Sequence, residues 1–542
     1  MNDLFLGLDC STQSLSYVLI DFSSKKIIER DQVNFDDDLP YYKTISGVIP
    51  SEKGVLVHSY PLMWVEALEL LFKKMRDGGL PLKDIKAISG SAQQHGTVYL
   101  NDHFEEKIMN LNPDKSLIDQ IEDTFSRKTS PIWMDSSTSQ QCKEIREALG
   151  GMENTIRITG SNTFERFSGP QIRKFFQESE NEYNNTSIIH LVSSFLASVL
   201  IGKNAPIDHG DGAGMNLMNI RTKEWDEKAL EATAPNLQQK LPLLANSFDI
   251  IGNLSDYFVK NYNFNPECVS VAWSGDNPNS LIGVGLIEKG KAAITLGTSD
   301  TYFGYLHDLY IDLNGEGHVF GAPTGDYMSL ICYKNGSLAR EKIKDQFNLK
   351  WSDFSTVLNR TPPGNYGKIM LPYFFPEIVP LILKPRVYRF GLREDDLEGN
   401  VRAIIESQFL SMKLHSEWIG ERPKEIFATG GASANKAILK IAANIFNIQI
   451  RKFDFTDSAA LGAALRAAKS YYNSINIKKN WTEIIKDFVK IHEAVIIKPN
   501  KKLKELYNDM RVLYKKCESF VLLKDENPEP FRIKFIKKYF DS

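Results

Sequence analysis

The chain has 542 residues, too many for one hydrophobic core, so at least two domains are expected. Its 42% hydrophobic and 25% charged residues are those of a water-soluble globular protein, and a formal net charge of −3 excludes a general nucleic-acid binder. The five cysteines, Cys10, Cys142, Cys268, Cys332 and Cys517, have no metal-ligand spacing, and their odd number suits a reducing compartment.

The first residues enter a strand at once, without a basic, apolar leader. The longest apolar stretch, Leu191 to Ile201, contains three serines and is too short to span a bilayer. A cytoplasmic protein with no membrane partner is expected. Leu6-Gly7-Leu8-Asp9-Cys10-Ser11-Thr12-Gln13-Ser14 reads as an apolar strand and a tight turn of small hydroxyl residues, followed by a second strand through Tyr17-Val18-Leu19-Ile20. Backbone N–H groups and hydroxyls in such a turn can hold phosphate oxygens, although an ordinary hairpin would also give this pattern, since Gly, Ser and Asp are common turn residues. Met63 to Met75 is a helix with an apolar stripe through Val65, Leu68, Leu71 and Phe72. Ile85 to Ala92 is a buried strand ending in small residues.

Residues 101–270 are less regular and read as an insertion on the first core, where a substrate is recognised. A helix over 278–289 starts at Pro278. Gly285-Leu286-Ile287-Glu288-Lys289-Gly290-Lys291-Ala292 nearly fits a P-loop, but Ala292 lacks the hydroxyl that binds Mg²⁺ and the order is helix then strand. Ala293-Ile294-Thr295-Leu296-Gly297-Thr298-Ser299-Asp300-Thr301 repeats the first phosphate turn. Glu425-Ile426-Phe427-Ala428-Thr429-Gly430-Gly431-Ala432-Ser433 repeats the strand and small-residue turn of Ile85 to Ala92. This doubled layout resembles the superfamily of sugar kinases, actin and Hsp70, in which two related α/β domains close on ATP. Ser458 to Ala468 is an alanine-rich helix with Asp457 in place to cap it. Residues 500–517 form an amphipathic helix, and Lys534 to Tyr539 reads as a solvated tail.

The strongest catalytic candidate is Trp273-Ser274-Gly275-Asp276-Asn277-Pro278. Asp276 reads either as a helix cap or as the general base that takes the proton of an attacking hydroxyl, with Asn277 beside it to hold a neighbouring hydroxyl. Gln93-Gln94-His95-Gly96 follows a strand end and offers groups that both donate and accept hydrogen bonds. Arg166, in Phe164-Glu165-Arg166-Phe167, reads either as a ligand of sugar hydroxyls or as the partner of a carboxylate such as Glu165. Trp133, two residues before Asp135, reads either as a face for sugar C–H groups or as core.

These motifs are joined by Asp211-Gly212-Ala213-Gly214-Met215-Asn216-Leu217 and follow one another in the order found in the FGGY carbohydrate kinases, which the chain resembles. The resemblance implies an α/β fold of two duplicated actin/hexokinase-like (ribonuclease H-like) domains flanking an ATP cleft. It implies an N-terminal domain over 1–285 with a sugar-binding insertion, a nucleotide-binding domain over 290–475, and a helical extension over 476–542 packed on the second domain. It implies ATP-dependent phosphorylation of a ketose, D-xylulose foremost, with Mg²⁺ as the metal. Another ketose or polyol, or a silent nucleotide and sugar sensor, are the alternatives. By the same resemblance His95, Arg166, Asp276 and Asn277 contact the sugar, and Asp276 is the base. Asp9 and Thr12 face the phosphates, with Asp9 on the metal. Gly297 and Thr298 line the phosphate path, and Gly430, Gly431, Ala432, Asn435 and Trp351 hold the adenosine end. The sugar is expected mainly on the first domain, with a hinge near Glu288 to Lys291. The chain is expected to be a monomer or a homodimer with no nucleic-acid partner.

Overall fold

A computed structural model describes residues 3–52, 54–452, 457–489 and 495–541. Its frame is a pair of seven-stranded sheets with the same wiring. In the first, Leu4–Cys10 pairs antiparallel with Ser14–Asp21 and parallel with Ile85–Ala92, and Lys26–Asn34 closes the edge beyond Ser14–Asp21. In the second, Lys291–Leu296 pairs antiparallel with Asp300–Leu306 and parallel with Glu425–Thr429, and Tyr327–Tyr333 lies beyond Asp300–Leu306. The central strands read as continuous apolar runs because both sheet faces are covered, which leaves no solvent face to impose alternation.

Pro61–Asp77 covers the first sheet. Pro61 stands in its first turn, where the missing N–H costs nothing, and Lys74 and Arg76 face the negative end of the helix dipole. Its stripe through Trp64, Leu68, Leu71 and Phe72 is fully buried. The insertion is helical, with Ser139–Ala148, Met152–Thr159, Ser168–Glu178 and Val192–Ile201 among its helices. It ends earlier than residue 270, because Ile250–Asn253 and Val269–Val271 are strands of the first sheet. Those strands are too short to show a periodicity. The helix expected over 278–289 runs instead over Asp276–Gly283. Gly285, at φ +78°, takes the left-handed turn that lets its N–H and that of Leu286 close on Ile282 and Leu281.

Ser458–Ser474 follows the second sheet in sequence but packs on the first. A Cβ at Gly7 would stand 1.9 Å from the carbonyl of Ala460, one at Gly283 1.9 Å from that of Ser458, and one at Gly462 2.0 Å from that of Asn279. Backbone therefore touches backbone along this seam. Trp481–Ile485 continues the same cluster with Phe5, Phe22 and Tyr472, so residues 458–489 lie on the first sheet despite their place in the chain. Asp457 precedes the helix without capping it, since its carboxylate lies 3.2 Å from Arg30. Lys504–Leu523 and Glu529–Tyr539 pack on the second domain. Tyr507 hydroxyl bonds the buried pair Arg402 and Glu406. The expected solvated tail is thus a helix: Phe535 is buried, and Lys538 reaches Glu505 and Asp509.

Candidate active site

Strand ends of the first sheet bring the acidic residues together. Asp9 pairs with Ser91 in register, and Ser274 and Gly275 pair with Ser91 and Ala92 on the other side of the same strand. Asp9 and Asp276 therefore flank one strand, which separates their backbones by roughly 10 Å, two strand spacings. Gly275 occupies the cap position of the helix, so Asp276 is its first residue and not its cap. Asp276 Oδ1 accepts from Asn277 N at 2.8 Å and Asn277 Nδ2 at 2.9 Å. Asn277 Nδ2 also donates to Gln94 Oε1 at 3.0 Å. Gln94 fits there because Gly275 has no side chain: a Cβ would come within 2.3 Å of Gln94 Cγ.

Burial, and then the negative charge of Asp9, raise the Asp276 carboxyl from its usual 3.8 to about 7. Burial likewise raises Asp9 to about 6, against the opposing influence of the nearby Ser91 hydroxyl and with added repulsion from Asp457. Asp9 Oδ1 is buried with no hydrogen-bond partner. A third buried carboxyl, Asp211, lies in the Asp211-Gly212-Ala213-Gly214 run. It accepts from Ser193 Oγ at 2.5 Å, and burial together with Asp208 raises it well above the carboxylate range.

His95 stands at φ +76°, and its Nδ1 lies 2.9 Å from the carbonyl of Gly214. A carbonyl only accepts, so Nδ1 carries the proton and Nε2 is an acceptor. Burial and the nearby Arg166 hold its pKa down at about 3, which keeps the ring neutral. Arg166 does not pair with Glu165, whose carboxylate takes Ser139 Oγ at 2.9 Å. Its guanidinium lies against Phe164 and Phe167 at 5.2 and 5.5 Å and reaches His318 Nε2 at 3.0 Å. His318 belongs to the second sheet, so the residues around Arg166 do not all come from the first domain, and no local sequence signal marks it. Trp133 is not core: it is 45% exposed and its Nε1 donates to Thr12 Oγ1 at 2.8 Å. Asp135 is buried, accepting from Val57 N, Ser137 N and Gln171 Nε2, and holds the loop together.

In the second domain a cavity of ≈ 720 Å³ is walled by Gly297, Thr298, Trp351, Gly431, Ala432 and Asn435. That size suits a nucleotide. Ser337, Glu341, Ser352 and Ser355 also line it, and nothing in their sequence context sets them apart. Asp300 and Arg340 form a buried two-fold ion pair, at 2.7 and 2.9 Å, that stiffens the turn after Leu296. Gly431 opens onto free space, whereas Gly430 packs against Leu296 at φ +88° and is not part of the wall. Asn435 Oδ1 caps Lys436–Phe446, which leaves its amide nitrogen to face a ligand. Among the described residues no cluster of three or more His, Cys, Asp or Glu side chains would hold a metal. One carboxylate with an unpartnered oxygen, Asp9, fits Mg²⁺ that arrives on phosphates and keeps most of its water. No helix of the described residues is long and apolar enough to cross a membrane, and all five cysteines are free thiols.

Duplicated sheets with acidic residues at the strand ends of one and a nucleotide-sized cavity in the other define a two-lobed α/β protein of the actin/hexokinase-like fold. The ligand-bound xylulose kinase of Lactobacillus acidophilus superposes with a TM-score of 0.80 at 20% identity, over 97% of this chain and 99% of that one. The glycerol kinase of Plasmodium falciparum with ADP gives 0.75 at 18% identity, over 96% and 98%. Residues 117–283 match the N-terminal domain, and residues 292–471 the C-terminal domain, of the FGGY family of carbohydrate kinases. Xylulose kinase 2 of Arabidopsis thaliana is 45% identical over 87% of this chain and 88% of its own, and xylulose kinase of Rattus norvegicus 39% identical over 96% and 98%. The chain belongs to the FGGY family of carbohydrate kinases.

Proposed function

We propose that this kinase transfers a phosphoryl group from ATP to the terminal hydroxyl of D-xylulose, giving D-xylulose 5-phosphate and ADP, with Asp276 as general base. The observation that carries this is the placement of Asp276 and Asp9 on either side of one strand, with Asn277 bonded to Asp276 and Gln94 to Asn277, together with a nucleotide-sized cavity in the second domain. The relatives named xylulose kinase at 45% and 39% identity supply the sugar.

Asp276 accepts the proton as the hydroxyl oxygen bonds to phosphorus. Its carboxylate is oriented by Asn277, which is held in turn by Gln94. His95 Nε2 accepts from a sugar hydroxyl, and Arg166 donates to another oxygen. Trp133 occupies a lone pair of Thr12 Oγ1, which turns the Thr12 hydroxyl hydrogen outward as a donor to a phosphate oxygen. Gly297 and Thr298 receive the phosphates from the second lobe, and Trp351, Ala432 and Asn435 hold the adenosine. Mg²⁺ bound with the nucleotide near Asp9 would supply charge neutralisation at the phosphates.

The test is a coupled assay of ADP release with D-xylulose, D-ribulose and glycerol. D-xylulose is expected to give the highest kcat/KM. A preference for glycerol or ribulose would reassign the acceptor, and no sugar-dependent ADP release would favour a silent sensor.

A further inference from the structure

We infer that His318, on the edge strand of the second sheet, is a positioning residue that holds Arg166 in the orientation in which it reads the ketose. Sugar recognition by one domain thus depends on a side chain of the other. The inference rests on the reading of Arg166 as a sugar ligand.

The hydrogen bond fixes the chemistry of the imidazole. Every guanidinium nitrogen is a donor, so His318 Nε2, 3.0 Å from Arg166 Nη2, must present its lone pair. The ring proton then sits on Nδ1, and the imidazole is neutral. Burial and the charge of Arg166 both hold His318 well below the ordinary histidine range, in agreement with that tautomer. The side chain is fully buried, framed by Phe164 at 4.7 Å, Phe167 at 5.3 Å and Phe320 at 5.8 Å between ring centres.

Phe164 and Phe167, whose ring centres are 5.6 Å apart, both lie on one side of the guanidinium. Rings on one side hold Arg166 against them but leave the guanidinium free to rotate. The bond to His318 removes this rotation and takes one of five N–H donors, so the others point in fixed directions. A neutral acceptor does this without cancelling the positive charge, as a carboxylate would. The strand that carries His318 is fastened independently: Val319 N donates to Gly160 O at 3.2 Å, and Gly321 lies against the backbone of His209 and Gly210. Replacing the imidazole therefore leaves its strand in place.

The experiment uses the full chain with D-xylulose and ATP. His318→Phe keeps a ring among the aromatics but removes the acceptor. It is expected to raise the KM for D-xylulose about tenfold or more, the effect of losing a hydrogen bond to a charged group, and to leave the KM for ATP unchanged. His318→Gln, whose Oε1 reaches the place of Nε2, is expected to recover most of the loss. Arg166→Met/His318→Phe is expected to bind D-xylulose no worse than Arg166→Met alone. If His318→Phe melts early, His318→Asn, with an amide too short to reach Arg166, takes its place against His318→Gln. An unchanged KM for D-xylulose, a parallel rise in the KM for ATP, or additive losses in the double variant would overturn the inference. If Arg166→Met itself left the KM for D-xylulose unchanged, the sugar-ligand reading of Arg166 would fail, and the inference with it.

Discussion

Asp276 carries the sharpest consequences at the scale of single residues. Asp276→Ala removes the proton acceptor from the transition state, so kcat is expected to fall by about 10² to 10⁴ while D-xylulose still binds measurably. Steady-state kinetics with calorimetric sugar binding checks this, and near wild-type turnover would end the case for Asp276 as the base. A pH profile follows from the same carboxyl. Burial and Asp9 raise it to about 7, and only its ionised form accepts a proton. The kcat/KM for the ketose is therefore expected to rise about tenfold per pH unit up to neutrality and to level off above it. An acid limb near pH 4 would mean that the site keeps Asp276 hydrated. Asp9, Asp276, His95 and Arg166 were singled out in the sequence because each lies in a short run of small turn residues, amides or aromatics, and the order of those runs carried the resemblance that assigned their roles. His318 and Asp211 were not, because their roles come from what tertiary packing sets against them. A histidine in an apolar strand and an aspartate among glycines carry no such mark locally.

At the scale of elements, the sequence shows periodicity but not packing partner. Ser458–Ser474 was readable as a helix from its alanines, yet nothing in those alanines says that it leaves the second sheet for the first. What fixes its seat is Arg466, fully buried, whose guanidinium bonds Asn279 Oδ1 at 2.7 Å, the carbonyl of Ala272 at 2.6 Å and that of Ser247. Asn279 in turn donates to the carbonyl of Gly275, directly before the proposed base. This helix therefore braces the segment that presents Asp276. Lysine has a single ammonium and does not reproduce a fork that spans these acceptors. Arg466→Lys is expected to lower kcat several-fold, with the KM for ATP unaltered, in a protein whose folding is verified by thermal melting. A folded variant with wild-type kcat would leave the positioning of Asp276 to backbone packing alone.

At the scale of the whole molecule, the duplication was legible because both halves begin with the same strand and turn, and so was a link near Glu288 to Lys291, whereas the excursion of Ser458–Ser474 to the first sheet and the return at Val495–Ile497 were not. Gly283 to Lys291 joins the lobes, and Lys289 ties that link to Asp308 and Glu421 at 3.1 and 3.6 Å. The chain crosses again before Ser458 and returns to the second sheet at Val495–Ile497. On the proposed function, a site divided between Asp9 and Thr12 on one side and Gly297 and Asn435 on the other calls for closure, which excludes water as a competing acceptor. Small-angle scattering is expected to show a smaller radius of gyration with D-xylulose and a non-hydrolysable nucleotide together than without ligands. Equal radii in active protein would restrict the motion to loops. The glycine seam beneath Ser458–Ser474 has a consequence of another kind, for inheritance. At Gly7, Gly283 and Gly462 even a methyl group would collide with main-chain oxygen, which no change of rotamer relieves. Alleles altered there should reduce how much enzyme a cell accumulates, and the molecules that survive should have ordinary affinity for both substrates. Carriers of such alleles would then resemble carriers of a partial deletion of the gene, although no side chain of the proposed active site is changed.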